Sequence, residues 1–257
     1  MGILENRQIL VTGVTTPESI AYAVVRVAQQ EGARVIVANL PRAVNITRRV
    51  VARLETVPEV LGLDVTDDGQ LGALADDLRE RGFAHLDGLV HAIAYAHPQR
   101  ALGGAFLQTE WDDVGLSLHT SAYSLKSLAM ACRPLLGRGS SIVGLTYDAG
   151  VSWPAYDWMG VSKAALESVS RYLARYLGPD GVRCNLVSAG PLNTMSKKAI
   201  PGADLFDDEW ARRAPLGWDP DDAGPTAKAV VALLSDWFPA TTGQIVHVDG
   251  GVASTGA

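Results

Sequence analysis

Tyr156 and Lys163 are the residues whose types and spacing first suggest chemistry. They stand in PAYDWMGVSKAALES, Pro154 to Ser168, with six residues between them and Met159 four places before the lysine. On a helix, positions i and i+7 lie two turns apart on one face, about 10 Å along the axis. A phenol at the opening turn can donate a hydrogen bond or a proton to an oxygen. An ammonium deeper in offers three donors, enough to hold two ribose hydroxyls. Its charge also favours the tyrosinate and so eases proton donation. Both residues are therefore read as catalytic.

Such a pair needs a helix that starts beside a crevice, and the rest of the chain supplies the pattern for one. Near-continuous apolar runs occur at Gln8–Val14, Arg34–Ala38, Val60–Val65, Leu86–Ala94, Ser140–Tyr147, Arg183–Ala189 and Gln244–Val248. They read as strands covered on both faces. Helical patterns lie between them at Ser19–Glu31, Arg42–Leu54, Asp68–Arg81, Asp112–Leu136, Tyr156–Leu177 and Thr226–Ser235. The alternation predicts an α/β fold: a Rossmann-type, doubly wound, seven-stranded parallel sheet forming a single domain over residues 1–257. Pro, Gly and Asp cluster at Pro201–Asp208 and Pro215–Pro225. An insertion there lies beyond the carboxyl ends of the strands, so Thr194–Trp218 is read as the substrate-covering segment, part helix and part loop.

The first strand runs into VTGVTTPESIAYAVV without a GxGxxG fingerprint. Gly13 can still make the tight turn that lets backbone approach a pyrophosphate, with a helix N-terminus behind it. Ser19 serves equally as helix N-cap or phosphate partner. The second strand ends in Ala38-Asn39-Leu40-Pro41-Arg42, with no acid for a ribose; Leu40 can pack on an adenine, while Arg42 is either a 2′-phosphate partner or a solvated residue. Asp64-Val65 can meet the adenine or cap the next turn. Ala92-Ile93-Ala94 allow close backbone approach to a ribose, and His91 is read as packing beneath.

Composition narrows the partners. With 47% apolar and 19% charged residues the chain is an ordinary soluble protein, and its net charge of −6 disfavours nucleic acid and anionic membranes. No apolar stretch is long enough for a span, and the start carries no signal-peptide pattern. Cys132 and Cys184 form no CxxC and read as reduced thiols of a cytoplasmic protein. The five histidines show no paired ligand spacing, so no metal is expected.

Taken together, Gly13…Ser19-Ile20-Ala21, Asp64-Val65, Tyr156…Met159…Lys163, Ala189-Gly190-Pro191…Thr194 and the ending Leu233–Gly251 resemble the bacterial enoyl-[acyl-carrier-protein] reductases, a divergent branch of the short-chain dehydrogenase/reductases. The resemblance covers essentially the whole chain. PAYDWM, RAPLGW and SDWFPATTG look most like the branch that elongates very long acyl chains for mycolic acids. The resemblance implies hydride delivery from NADH, NADPH not excluded, to the β-carbon of a trans-2-enoyl thioester carried by acyl carrier protein. It implies that Tyr156 stabilises the enolate, Lys163 anchors the ribose and Met159 lines the wall by the nicotinamide. Pro191 and Leu192 would offer backbone to the carboxamide, and Thr194 would approach the pyrophosphate. A homotetramer is implied too, in keeping with the long helices and apolar last strand.

Some residues depart from that pattern. Tyr147, nine places before Tyr156, stands where the long-chain branch has phenylalanine, and is read as a substrate-wall aromatic before a second hydrogen-bond donor. Tyr95-Ala96-His97-Pro98 replaces a glycine-rich stretch, which puts Tyr95 at the substrate entry. The shorter Pro201–Asp208 segment predicts medium-length acyl chains. Lys197, Lys198, Arg212 and Arg213 either form a basic portal for acidic carrier protein or are solvated helix ends. The alternative activity is a short-chain dehydrogenase/reductase acting on a related thioester or carbonyl in a secondary-metabolite pathway. Ketone reduction normally uses a tyrosine at the place Met159 occupies, and a thioether offers no proton. A catalytically silent nucleotide sensor would have no reason to keep both Tyr156 and Lys163.

Overall fold

Among the described residues, 2–256 of this computed structural model, the seven apolar runs form seven strands. The two end positions of the expected 1–257 domain lie outside that span. The strands are β1 (Gln8–Thr12), β2 (Arg34–Asn39), β3 (Glu59–Gly62), β4 (Gly88–His91), β5 (Ser141–Thr146), β6 (Arg183–Ala189) and β7 (Ile245–Val248). All neighbours pair in parallel, in the order β3-β2-β1-β4-β5-β6-β7. The winding direction reverses between β1 and β4, which opens a crevice beyond their carboxyl ends.

Helices α1 (Ile20–Gln30), α2 (Val44–Val51), α3 (Asp68–Glu80), α4 (Trp111–Leu118), α5 (Ser124–Cys132), α6 (Asp157–Leu177), α7 (Met195–Lys198), α8 (Asp204–Arg213) and α9 (Gly224–Leu234) cover the sheet. One face packs α1 and α9 on Val11, Val37 and Val187; the other packs α3, α5 and α6 on Leu10, Ile36 and Ile142. Leu166, Leu173 and Leu177 of α6 are buried there, each stabilising the fold by about 1.5–3 kcal/mol. Arg183 donates to the carbonyls of Leu233 and Ser235 and so closes the end of α9 from inside the core. None of the helices among the described residues is long and apolar enough to cross a membrane.

Two expectations need correction. The helix expected over Asp112–Leu136 is interrupted by a π-helical turn at His119–Tyr123. Two side chains account for it: Ser124 donates back to the carbonyl of Thr120, and Ser121 exchanges hydrogen bonds with the backbone of Tyr95. Such local bonds compete with the helical ladder. The last strand is not covered on both faces: His247 is exposed and its three neighbours are half-buried, because β7 is the edge of the sheet.

Candidate active site

The crevice holds a cavity of about 740 Å³ that runs from the ends of β1 and β2, past β4 and β5, to the opening of α6. At its nucleotide end Gly13 has φ +85°, and a Cβ there would lie 2.0 Å from the carbonyl oxygen of Ala92. Only glycine makes this turn. Ser19 is the N-cap of α1: its hydroxyl accepts from Tyr22 N at 3.2 Å and donates to the carbonyl of Thr16 at 2.7 Å. That hydroxyl is already engaged. The amides of Ile20 and Ala21 have no acceptor among the described residues, so the helix N-terminus itself presents the donors an anion needs.

Leu40, Asp64, Val65, Ala92, Ile93 and Ala94 all line the cavity, as expected from sequence. Asp64 also has its turn-capping role, with Oδ1 accepting from Thr66 N and Oγ1. Asn39 donates to the carbonyl of Val14 and to Thr47, which fastens the end of β2 to the first turn. His91 lies beneath, fully buried. Ser124 gives its proton to Thr120, so it accepts from His91 Nε2 at 2.7 Å, and burial pushes the imidazole down to about 3. A neutral ring at that depth is packing, not acid–base chemistry. These donors and small residues fit a dinucleotide.

At the chemical end Tyr156 caps α6 and Lys163 lies within it; both are buried and both line the cavity, with Met159 between them. Lys163 Nζ donates to the carbonyl of Leu145 at 2.8 Å, which leaves two donors. Burial lowers its pKa to about 8, opposed by the charge of Glu167. Burial raises the pKa of the Tyr156 phenol. With its pKa raised the phenol keeps its proton, so Tyr156 is a neutral hydrogen-bond donor. Its hydroxyl has no partner among the described residues.

Tyr147 is in the wall. Its ring lies 5.0 Å from Tyr156, 5.6 Å from Phe206, 5.7 Å from Trp210 and 5.8 Å from Trp153. Its hydroxyl is buried and has no partner among the described residues. Tyr95 lines the rim and is exposed. Leu192 and Thr194 line the cavity, and Thr194 caps α7. The carbonyls of Pro191 and Leu192 are already engaged, by Trp218 Nε1 and by Thr194 N. Each carbonyl keeps a second lone pair, and the N–H of Leu192 has no acceptor among the described residues.

Only part of the expected covering segment lines the cavity. Thr194 to Lys197, Ala199, Ile200 and Phe206 line the cavity, but 207–218 do not. Trp210 and Trp218 turn that part of the chain onto the back of Gly190, where a Cβ would meet either indole at 2.7 Å. The basic portal also fails in part. Lys197 is buried and bonded to Asp207 and Asn193, and Arg213 donates to the carbonyl of Thr255. Phe206 and Leu102 are lining residues that the sequence reading missed; the spacing of Phe206 and Trp210 on one helical face was the available signal for the first.

The sequence profile of the family described as Enoyl-(Acyl carrier protein) reductase matches residues 13–253. Enoyl-[acyl-carrier-protein] reductase [NADH] of Mycolicibacterium smegmatis is 43% identical over 266 residues, with 98% of each chain covered. Enoyl-[acyl-carrier-protein] reductase [NADH] FabI of Neisseria meningitidis is 37% identical, over 98% of this chain and 96% of that one. The Staphylococcus aureus relative, at 34% identity over 96% of this chain and 97% of its own, is named for NADPH.

Proposed function

The chain belongs to the enoyl-[acyl-carrier-protein] reductase family, and from that membership we propose that it reduces the trans-2 double bond of enoyl-acyl-carrier-protein thioesters, using NADH, in fatty-acid biosynthesis. The observation that carries the reading is one cavity wall bearing Tyr156, Met159 and Lys163 together, with a thioether where a ketone reductase keeps its tyrosine. When bound, NADH supplies the hydride that adds to the β-carbon. Tyr156 donates a hydrogen bond from its O–H to the thioester oxygen and stabilises the enolate that forms, and a proton from water then adds to the α-carbon to give the saturated thioester. The neutral phenol suits this, because a donor aimed at a developing oxyanion needs to hold its proton. Lys163, fixed by Leu145, turns its remaining N–H donors to the ribose hydroxyls.

Gly13 and the amides behind Ser19 and Ile20 take the pyrophosphate with Thr194. Leu40, Asp64 and Val65 flank the adenine, Ala92, Ile93 and Ala94 approach the ribose, and Leu192 N–H meets the carboxamide. Tyr95, Tyr147 and Met159 contact the acyl group. The aromatic packing behind Tyr147 and the short segment at 201–208 support medium-length chains. Lys198, exposed, and Arg212, exposed but paired with Glu209, are the cations nearest to serving an acidic carrier protein. Exposed aromatic side chains on α4 and α6 and the half-covered β7 support a homotetramer. The two buried free thiols support a cytoplasmic location.

The test is a nicotinamide absorbance assay with crotonyl and dodecenoyl thioesters and either NADH or NADPH. NADH oxidation is expected with the parent, falling about 100-fold or more in Tyr156→Phe. No oxidation with any enoyl thioester would overturn the reading. Turnover that rises steadily beyond about sixteen carbons would overturn the chain-length assignment, since a closed apolar wall discriminates against added methylenes.

A further inference from the structure

Tyr156 sits between two strained residues. Ala155 has φ +62° and Asp157 has φ +41°, two of the three non-glycine residues at positive φ among those described. Each such residue costs about 1–3 kcal/mol and persists only where its surroundings over-determine it. The constraint here comes from a turn some fifty residues earlier in the chain. Asp157 Oδ2 accepts from the backbone N–H of Gly104 at 2.7 Å and of Ala105 at 3.0 Å. Gly103 N donates to the carbonyl of Ala155 at 2.9 Å, and Trp158 N to that of Ala101 at 3.3 Å. Trp158 Nε1 donates to the carbonyl of Phe106, whose ring stacks on the indole at 4.9 Å. Gly103 and Gly104 have φ +70° and +93°, so the turn is folded to aim successive amides at one oxygen. Asp157 is also the first residue of α6, where a carboxylate is favoured by the helix dipole.

The geometry points to Asp157 as a positioning residue: its carboxylate clamps the 101–106 turn and thereby fixes Tyr156. The same turn carries Leu102, which lines the cavity and packs in one cluster with Tyr156 and Met159. One oxygen therefore sets both the donor that meets the thioester and the wall beside it. This inference rests on the role of Tyr156 proposed above.

The test uses the full chain with Asp157→Ala, Asp157→Asn and Asp157→Glu. Asparagine keeps one carbonyl oxygen at the same place; glutamate keeps the charge but shifts the oxygen by a methylene. For Asp157→Ala, kcat is expected to fall about 10–100-fold while the NADH dissociation constant stays within about twofold, because misplacement by an ångström costs that much in the reacting geometry. Amide exchange across 101–106 should accelerate. Asp157→Asn should recover kcat to within about fivefold of the parent, its neutral acceptor making weaker bonds, with Asp157→Glu below it. Parent-like kcat in Asp157→Ala, unchanged exchange at 101–106, or an asparagine variant no better than alanine would each overturn the clamp. So would NADH affinity and melting temperature falling in step with kcat. If the alanine variant does not fold, the order of asparagine above glutamate still decides. A parent that oxidises no NADH refutes the proposed function instead, and the exchange measurement still judges the clamp.

Discussion

Lys163 carries the clearest pH signature in the cavity. Its ammonium is buried and its pKa is lowered to about 8, against an ordinary value of 10.5. Below that pH the side chain is charged and can hold ribose hydroxyls; above it the free protein loses the charge. On the proposed role of Lys163, bound NADH would stabilise the ammonium and raise the pKa of the complex above that of the free protein. Affinity should then weaken as pH rises through about 8, by up to tenfold per unit, until the complex itself titrates. Fluorescence titrations of NADH between about pH 6.5 and 9.5 check this, with Lys163→Met expected to bind weakly and without that slope. A parent curve as flat as that of the variant would contradict it. The Tyr–Lys pair was readable because both residues belong to one helix and their spacing is a local property. The burial that sets the protonation of Tyr156 was not, since Phe206, whose ring packs edge-on against it, lies on an element distant in sequence. Asp157 was hidden for the same reason: its partners are Gly104 and Ala105.

At the level of elements, strands and long helices followed from apolar periodicity to within a few residues, except the helix expected over Asp112–Leu136, which the π-helical turn divides. The short helices α7 and α8 did not. DLFDDEWARR is polar and flanked by Gly and Pro, and only Phe206 and Trp210 give it an apolar side. Its position over the cavity depends on tertiary bonds, chiefly Lys197 to Asp207 and Asn193, and Trp210 Nε1 to the carbonyl of Asp249. Lys197 is the buried member of the ion pair, its side chain 10% exposed against 37% for Asp207. Removing Asp207 leaves a buried ammonium without its anion, a loss of about 1–2 kcal/mol once the exposed side of the pair is discounted. Asp207→Ala is therefore expected to loosen α8 and raise KM for the enoyl thioester, with kcat much less affected. Limited proteolysis near 199–208 should become faster. Replacing Lys197 by Met as well removes the stranded charge and should restore part of the loss. An Asp207→Ala protein with parental KM and proteolysis would show that α8 needs no such latch.

For the whole molecule, the seven-stranded, doubly wound parallel sheet and a ligand site beyond its carboxyl ends were legible, because burial on both faces writes itself into near-continuous apolar runs. The exception is β7, whose IVHV reads as buried but is half-exposed at the sheet edge. A second hollow of about 720 Å³ lies beside it, lined by Leu216, Trp218, His247 and Val248 among others. Elsewhere Trp111 on α4 is 73% exposed, and Tyr172 and Tyr176 on α6 are 62% and 69% exposed, the last two stacked at 6.5 Å. Scattered apolar side chains are normal on a surface, but neighbouring exposed aromatics on long helices mark contact faces. In a closed, two-fold symmetric assembly the α4–α6 face meets itself, so a charge placed there is repeated across the axis and opposed by its own copy. Tyr172→Glu combined with Tyr176→Glu should accordingly break that contact and leave any β7 contact intact. Light scattering on the eluting protein would then give half the parental mass, tetramer becoming dimer. The monomer fold should survive, because both tyrosines point away from the core cluster under α6, and a retained far-ultraviolet circular dichroism spectrum would check it. A parental mass in the double variant would move the subunit contact off α6, and a monomeric parent would refute the tetramer altogether.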